Sequence, residues 1–416
     1  FCAVMGKSES KETRTFSNGL RFALKHSNSQ VAYCALSIRC GTSVEPEALG
    51  GLAHLTEHML FKGTSKRSST SINDRLERLG GELNAYTTKE EIVLYSTTLK
   101  EDVLKAIDLL FELAFDSVFA PKELEKEKSV VVDEINLYKD SPSDYIFDDF
   151  EKFLYEGSPI SRHILGSAKT LKRITSADLH DFTKACFLPC NMSFSVVGDF
   201  EFGKIADAVE KHMLKYAPDC SDVQPVVAPD VKVNVFRRDE NKKHHQSNCI
   251  IGAPAYSLFD KRRIALVLLM NILGGPSCNS RLNSLLREKK ALVYNIEASY
   301  TPYSKTGCAL IYFGCEKGNV DKCIALVLGE LAKVRETPLS STALRYAKKQ
   351  LLAQNAISSE NGEAQALAIG RSMLNFGDYM SDAQVRTRVE ALTSEDLQTV
   401  ARDVFAEDKL SFLIYR

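Results

Sequence analysis

The chain has 416 residues, 44% hydrophobic and 26% charged, with a formal net charge of -1: long enough for two or three domains, and composed like a globular protein with ample core. Near-neutrality gives no electrostatic reason to expect nucleic acid or an anionic membrane as partner. Its eleven cysteines form no CxxC pair and point to free thiols in a reducing, cytoplasmic compartment, not to a disulfide framework.

The opening stretch FCAVMGKSESKETR lacks the apolar core length of a secretory signal. RFALKH and VAYCALSIRC then alternate as strands. GGLAHLTEHMLFKGT, residues 50–64, reads as a helix from Gly50 to Phe61. Leu52, Leu55, Met59 and Leu60 make its apolar side, and Gly63 sits at a stop position. Residues four apart share a helix face, so His54 and His58 aim at one point, with Glu57 near the same edge. Two neutral nitrogens and a carboxylate able to take a proton are parts of a catalytic zinc site. The plainer alternative is two histidines on a core face and a solvated Glu57. GGELNAYTTKEE (80–91) reads as a turn and an edge strand. PKELEKEKSVVVDEINLYKDSP (121–142) reads as a helix that starts at Pro121 and stops before Pro142. Glu127 and Glu134 stand two turns apart on one of its faces, and spacing does not choose between Asp133 and Glu134 as a third ligand. ACFLPCN, with Cys186 and Cys190, lacks the spacing of a structural zinc site.

The second half repeats the first. ITSADLHDFTKACFLPCNMSFSVV from Ile174 and LTSEDLQTVARDVFAEDKLSFLIY from Leu392 align without a gap, placing Leu179 on Leu397, Phe187 on Phe405 and Phe194 on Phe412. The same offset carries Glu112-Leu113-Ala114 onto Glu330-Leu331-Ala332. Register kept over such distances marks a duplicated domain. YAPDCSDVQPVVAPDV, residues 216–231, has three prolines and reads as the linker, which gives domains at 1–215 and 232–416. VKVNVFRR and SNCIIGAP open the second half as strands. Between them, adjacent His244 and His245 point to opposite sides of a strand and chelate poorly. IALVLLMNIL (264–273) is about half the length that spans a bilayer and reads as a buried helix. RLNSLLREKKALVYN (281–295) carries Arg287 and Tyr294, whose plain reading is a surface arginine and a core tyrosine. MSFSVVGD and LSFLIY close the two halves as strands. The expected fold class is α+β, two duplicated domains, each a mostly antiparallel sheet with helices packed on it.

HLTEH, with 75 residues between His58 and Glu134, resembles the inverted zinc motif of the pitrilysin family of metallopeptidases. The likeness is to the short, two-domain members related to mitochondrial processing peptidase, and it covers nearly the whole chain, from RTFSNGLRFAL to GGPSCNSRLNSLLREKKALVY. It implies that His54, His58 and Glu134 ligate one Zn2+ per chain, that Glu57 is the general base on zinc-bound water, and that Glu127 supports the site without binding metal. It implies that Asn84, Ala85 and Tyr86 pair with a peptide substrate as an added strand. Tyr294 would donate to the developing oxyanion, and Arg287 would anchor the peptide. In longer relatives with four such domains, the zinc and the Arg/Tyr pair face each other across a closed chamber. A two-domain chain carrying both is therefore expected to form a homodimer with shared sites and to hydrolyse peptides or unfolded segments. The alternatives are a non-catalytic assembly subunit and a catalytic subunit needing a different partner chain.

Overall fold

The computed structural model describes residues 12–217, 225–242 and 246–416. The first eleven residues, part of the expected linker, and His244 and His245 lie outside them. Strands β1 (Glu12–Thr15), β2 (Arg21–His26), β3 (Val31–Ile38), β4 (Glu82–Thr87), β5 (Ile92–Leu99) and β6 (Met192–Gly198) form one sheet, in the order β1-β2-β6-β3-β5-β4. Strands β7 (Arg237–Glu240), β8 (Gln246–Ala255), β9 (Val293–Pro302), β10 (Gly307–Glu316) and β11 (Ser411–Tyr415) form a second, in the order β7-β11-β8-β10-β9. Only β2 with β6 and β7 with β11 run parallel; the other pairings are antiparallel. The fold is the expected α+β arrangement, two sheets with helices packed on them.

Both faces of each sheet are covered, which is why the central strands are buried over most of their length and do not alternate cleanly. In the first sheet, Phe22 and Phe194 turn to one side, where the ring of Phe111, from the Val103–Asp116 helix, lies tilted 5.2 Å from that of Phe194. Ala23, Ala35, Val93 and Val197 turn to the other and meet Ala366, Ile369 and Met373 of the Gly362–Phe376 helix. The hydroxyls of Ser193 and Ser195 donate to the carbonyls of Gly370 and Ala366 at 2.6 and 2.7 Å, so these two buried hydroxyls are satisfied under that helix. In the second sheet one face joins a large core built from the Arg263–Gly274, Val320–Glu336 and Ser394–Val404 helices. On the other face lies the Pro142–Leu154 helix. Its Ile146, Phe150 and Leu154 pack with Ile250, Leu310 and Leu413, and Tyr415 donates to Asp149 at 2.7 Å.

The compact units are therefore discontinuous in sequence. The first holds the described residues up to Val132, with 164–227 and 357–384; the second holds 133–163, 228–356 and 385–416. One division, between Val227 and Ala228, falls inside the expected linker, residues 216–231. The physical reason for the discontinuity lies in the duplication. At the offset that carries Ile174 onto Leu392, Asp148 falls on Ala366, so the two helices are counterparts, and each covers the sheet built by the other half. A second difference concerns VKVNVFRR, of which only Arg237 and Arg238 join a ladder. Asn234 donates instead to the Leu154 carbonyl at 2.8 Å, and Phe236 packs against the rings of Phe150 and Phe153. IALVLLMNIL lies in the Arg263–Gly274 helix. Among the described residues no helix is long and apolar enough to cross a membrane.

Candidate metal centre

The helix bearing the two histidines runs from Leu52 to Leu60. It begins later than its apolar pattern predicts because Gly51 is left-handed, with φ +92°. Glycine is required there twice over: a Cβ would also stand 2.7 Å from the Leu165 carbonyl oxygen. Buried Glu45 accepts the N–H groups of Gly51 and Ala53 at 3.1 and 2.6 Å. That carboxylate satisfies the first-turn donors and sets a negative charge at the positive end of the helix.

His54 is buried and His58 half-buried, with ring centroids 4.6 Å apart. Burial, and after it the neighbouring His58, lower the His54 pKa to about 3, so this imidazole is neutral and keeps a lone pair for a metal. Nδ1 of His58 lies 3.1 Å from Oε2 of Glu127. An ionised carboxylate can only accept, so the proton sits on Nδ1 and Nε2 is left free to ligate, the usual outer support of a metal-bound histidine. Glu127 is itself buried and meets Lys62 Nζ at 2.7 Å, which compensates its charge.

The Pro121–Lys139 helix, with the bounds its prolines predict, carries Glu134. Ligand atoms of His54, His58 and Glu134 all lie within 4.8 Å of one another, and among the described residues no other group of three His, Cys, Asp or Glu does so. Asp133 is exposed and outside the group. Two imidazoles and one carboxylate, supported from behind, fit the donor set of an open zinc site.

Glu57 accepts the Thr87 hydroxyl at 2.6 Å. Thr87 ends β4, which stands at the sheet edge and among the described residues pairs only with β5. On that strand Asn84 is exposed, while Ala85 and Tyr86 are half-buried. Tyr86 packs toward the Gly362–Phe376 helix, and burial raises its pKa to about 12. Sequence reasoning missed Glu45, Lys62 and Thr87. Lys62 and Thr87 act through contacts to Glu127 and Glu57, and Glu45 through the backbone of the histidine-bearing helix; no periodicity marks them.

In the second unit, Arg287 lies in a π-helical stretch, Asn283–Lys289, and Ala291 has φ +48°. The β9–β10 ladder then slips: Gly314 faces Asn295 and Cys315 faces Val293, leaving Tyr294 as the extra residue of a bulge. Both Arg287 and Tyr294 are exposed, Tyr294 by 52%. Such departures from regular backbone cost free energy and gather at functional positions.

A sheet-and-helix fold holding an H-x-x-E-H helix beside a glutamate-bearing helix defines the class of inverted-motif metallopeptidases. Residues 21–168 match the family model described as Insulinase (Peptidase family M16), and 173–351 match the one described as Peptidase M16 inactive domain. The chain belongs to the M16 peptidase family. It is 29% identical over 402 residues to a protein of Bacillus subtilis named as an uncharacterized zinc protease, covering 96% of this chain and 97% of that one. It is 26% identical over 404 residues to the mitochondrial-processing peptidase subunit beta of Dictyostelium discoideum, covering 94% and 86%. In fold it is similar to the peptidase M16 inactive domain from Pseudomonas fluorescens, with a TM-score of 0.88, 21% identity, and 97% and 98% coverage. His54, Glu57, His58, Glu127 and Glu134 all fall within the first matched segment, and Arg287 and Tyr294 within the second.

Proposed function

We propose that the protein is a zinc-dependent endopeptidase acting on peptides or unfolded polypeptide segments, with one Zn2+ per chain held by His54, His58 and Glu134. The observation that carries this reading is the convergence of those three side chains beside a Glu57 carboxylate oriented by Thr87. A zinc ion bound there supplies Lewis acidity toward a scissile carbonyl and an attacking water. Glu57 takes a proton from the water and later delivers it to the leaving nitrogen. Glu127 keeps His58 in the ligating tautomer. The free edge of β4, at Asn84, Ala85 and Tyr86, pairs with the substrate backbone as an added strand, which makes recognition tolerant of side chains. Tyr294 donates to the developing oxyanion and Arg287 anchors the peptide; the irregular backbone around both supports a functional role.

The proposed assembly is a homodimer in which Arg287 and Tyr294 of one subunit serve the zinc of the other, enclosing a chamber that admits unfolded peptides. Free thiols among the described cysteines favour a reducing, cytoplasmic setting. A second reading, a catalytic or assembly subunit with a different partner chain, is favoured by the likeness to a processing-peptidase beta subunit.

A digest of a peptide library, with and without chelator, tests the activity. Cleavage should vanish on chelation and return with zinc; cleavage indifferent to chelator sinks the proposal. Mixing Glu57→Gln with Tyr294→Phe tests the assembly. Each mixed dimer would hold one site with both residues intact, so activity should reappear. Verified mixed dimers without activity count against shared sites.

A further inference from the structure

The Ser341–Ser358 helix of the second unit, STALRYAKKQLLAQNAIS, has three cations and no acidic residue, and only Leu344 is fully buried. Beside it runs a groove of about 690 Å3. Leu344, Leu352, Ala353 and Ala356 give the groove an apolar floor, and Arg345, Lys348, Lys349 and Arg386 edge it with positive charge. Glu390 is the one acid of the lining. It is already engaged: its carboxylate lies 3.6 Å from Arg386 and its backbone carbonyl accepts from Lys348 at 2.7 Å. Arg345 and Lys349 are exposed and form no salt bridge among the described residues. Elsewhere, exposed helical lysines such as Lys126 and Lys204 pair with acids three residues away; this helix offers its cations no such neighbour.

An apolar trough edged by an excess of cations, two of them (Arg345 and Lys349) without a salt bridge among the described residues, is complementary to one kind of chain, with apolar side chains for the floor and carboxylates for the rims. Single-stranded nucleic acid calls for aromatic platforms on which bases stack, and the lining has none. Inorganic anions would satisfy the cations and leave the floor uncovered. We propose that this groove binds acid-rich amphipathic polypeptide segments, and so selects substrates that carry one. The selection of substrates rests on the peptidase reading; the binding does not.

The test uses the full chain carrying Glu57→Gln, so that cleavage does not obscure binding. The probes are a fluorescein-labelled peptide of Leu and Glu in amphipathic order and its Leu/Lys counterpart. The acidic peptide should bind, with affinity falling about tenfold between about 50 and about 500 mM salt as the charges are screened. Adding Arg345→Glu with Lys349→Glu, both at exposed positions, should weaken it about tenfold and flatten that salt dependence. Ala353→Trp, also at an exposed position, should weaken binding by filling the floor while the charges remain. The Leu/Lys peptide should not bind. Equal binding of the two peptides, undiminished binding to the charge-reversed protein, or equally strong competition by a single-stranded oligonucleotide overturns the proposal. A protein with intact Glu57 that cleaves nothing, while the groove still binds the acidic peptide, defeats the peptidase reading and leaves this one standing.

Discussion

Replacing Glu57 with Gln is expected to lower kcat by about 10²–10⁴-fold, the usual contribution of a positioned general base, while zinc remains bound. The substitution is close to isosteric, and the amide oxygen can still accept the Thr87 hydroxyl that now sits 2.6 Å from the carboxylate. What disappears is the basicity that takes a proton from water. None of the three proposed ligands is touched, so metal content measured by atomic absorption should match the parent. KM should change little, because the lost interaction operates in the transition state and not in binding. Turnover at the parent rate would remove Glu57 from the mechanism. Loss of zinc along with activity would make it part of the ligand set instead.

Truncating Phe150 to Ala should destabilise the second unit by about 3–5 kcal/mol. Phe150 is fully buried on the Pro142–Leu154 helix. Its ring lies 5.2 Å from that of Phe236 and presses on the backbone of β8 at Gly252, where a Cβ would stand 2.6 Å from the ring. Glycine has no side chain to move into the vacated space, and the strand is held by ladders on both sides. The cavity should therefore persist, and its cost with it. Denaturant unfolding, followed by a probe in each unit, measures the effect. The same truncation at exposed Phe376 serves as a control, expected within about 0.5 kcal/mol. A loss below about 1 kcal/mol at Phe150 would mean that this helix is not what closes the second sheet.

Much of the centre was legible before any coordinates. The spacing of His54 and His58 follows from helix geometry and survives the later start that Gly51 imposes. The limits of the Pro121–Lys139 helix followed from its two prolines, and the duplication from its constant offset. Spacing alone did not separate Asp133 from Glu134, adjacent acids on the same helix; the family resemblance singled out Glu134, and in the structure its carboxylate lies near the imidazoles while Asp133 is exposed. The sequence reads MSFSVVGD as a strand and says nothing of where its Ser193 and Ser195 point. They are buried, and their partners are carbonyls of a helix far along the chain. The bulge at Tyr294 also left no trace in composition, because a single extra residue shifts a register without changing a pattern.

The sequence by itself determined what depends on near neighbours: which segments coil, which extend, which side chains share a helix face, and that one half of the chain echoes the other. Tertiary structure alone decided which sheet each duplicated helix covers and which hydroxyl steadies Glu57. Backbone periodicity fixes directions over a few residues whatever the rest of the chain does. The partner of a buried surface, by contrast, is chosen by shape and hydrogen-bond satisfaction among all the surfaces the chain offers. Two equivalent helices can then exchange places with no change in either local pattern.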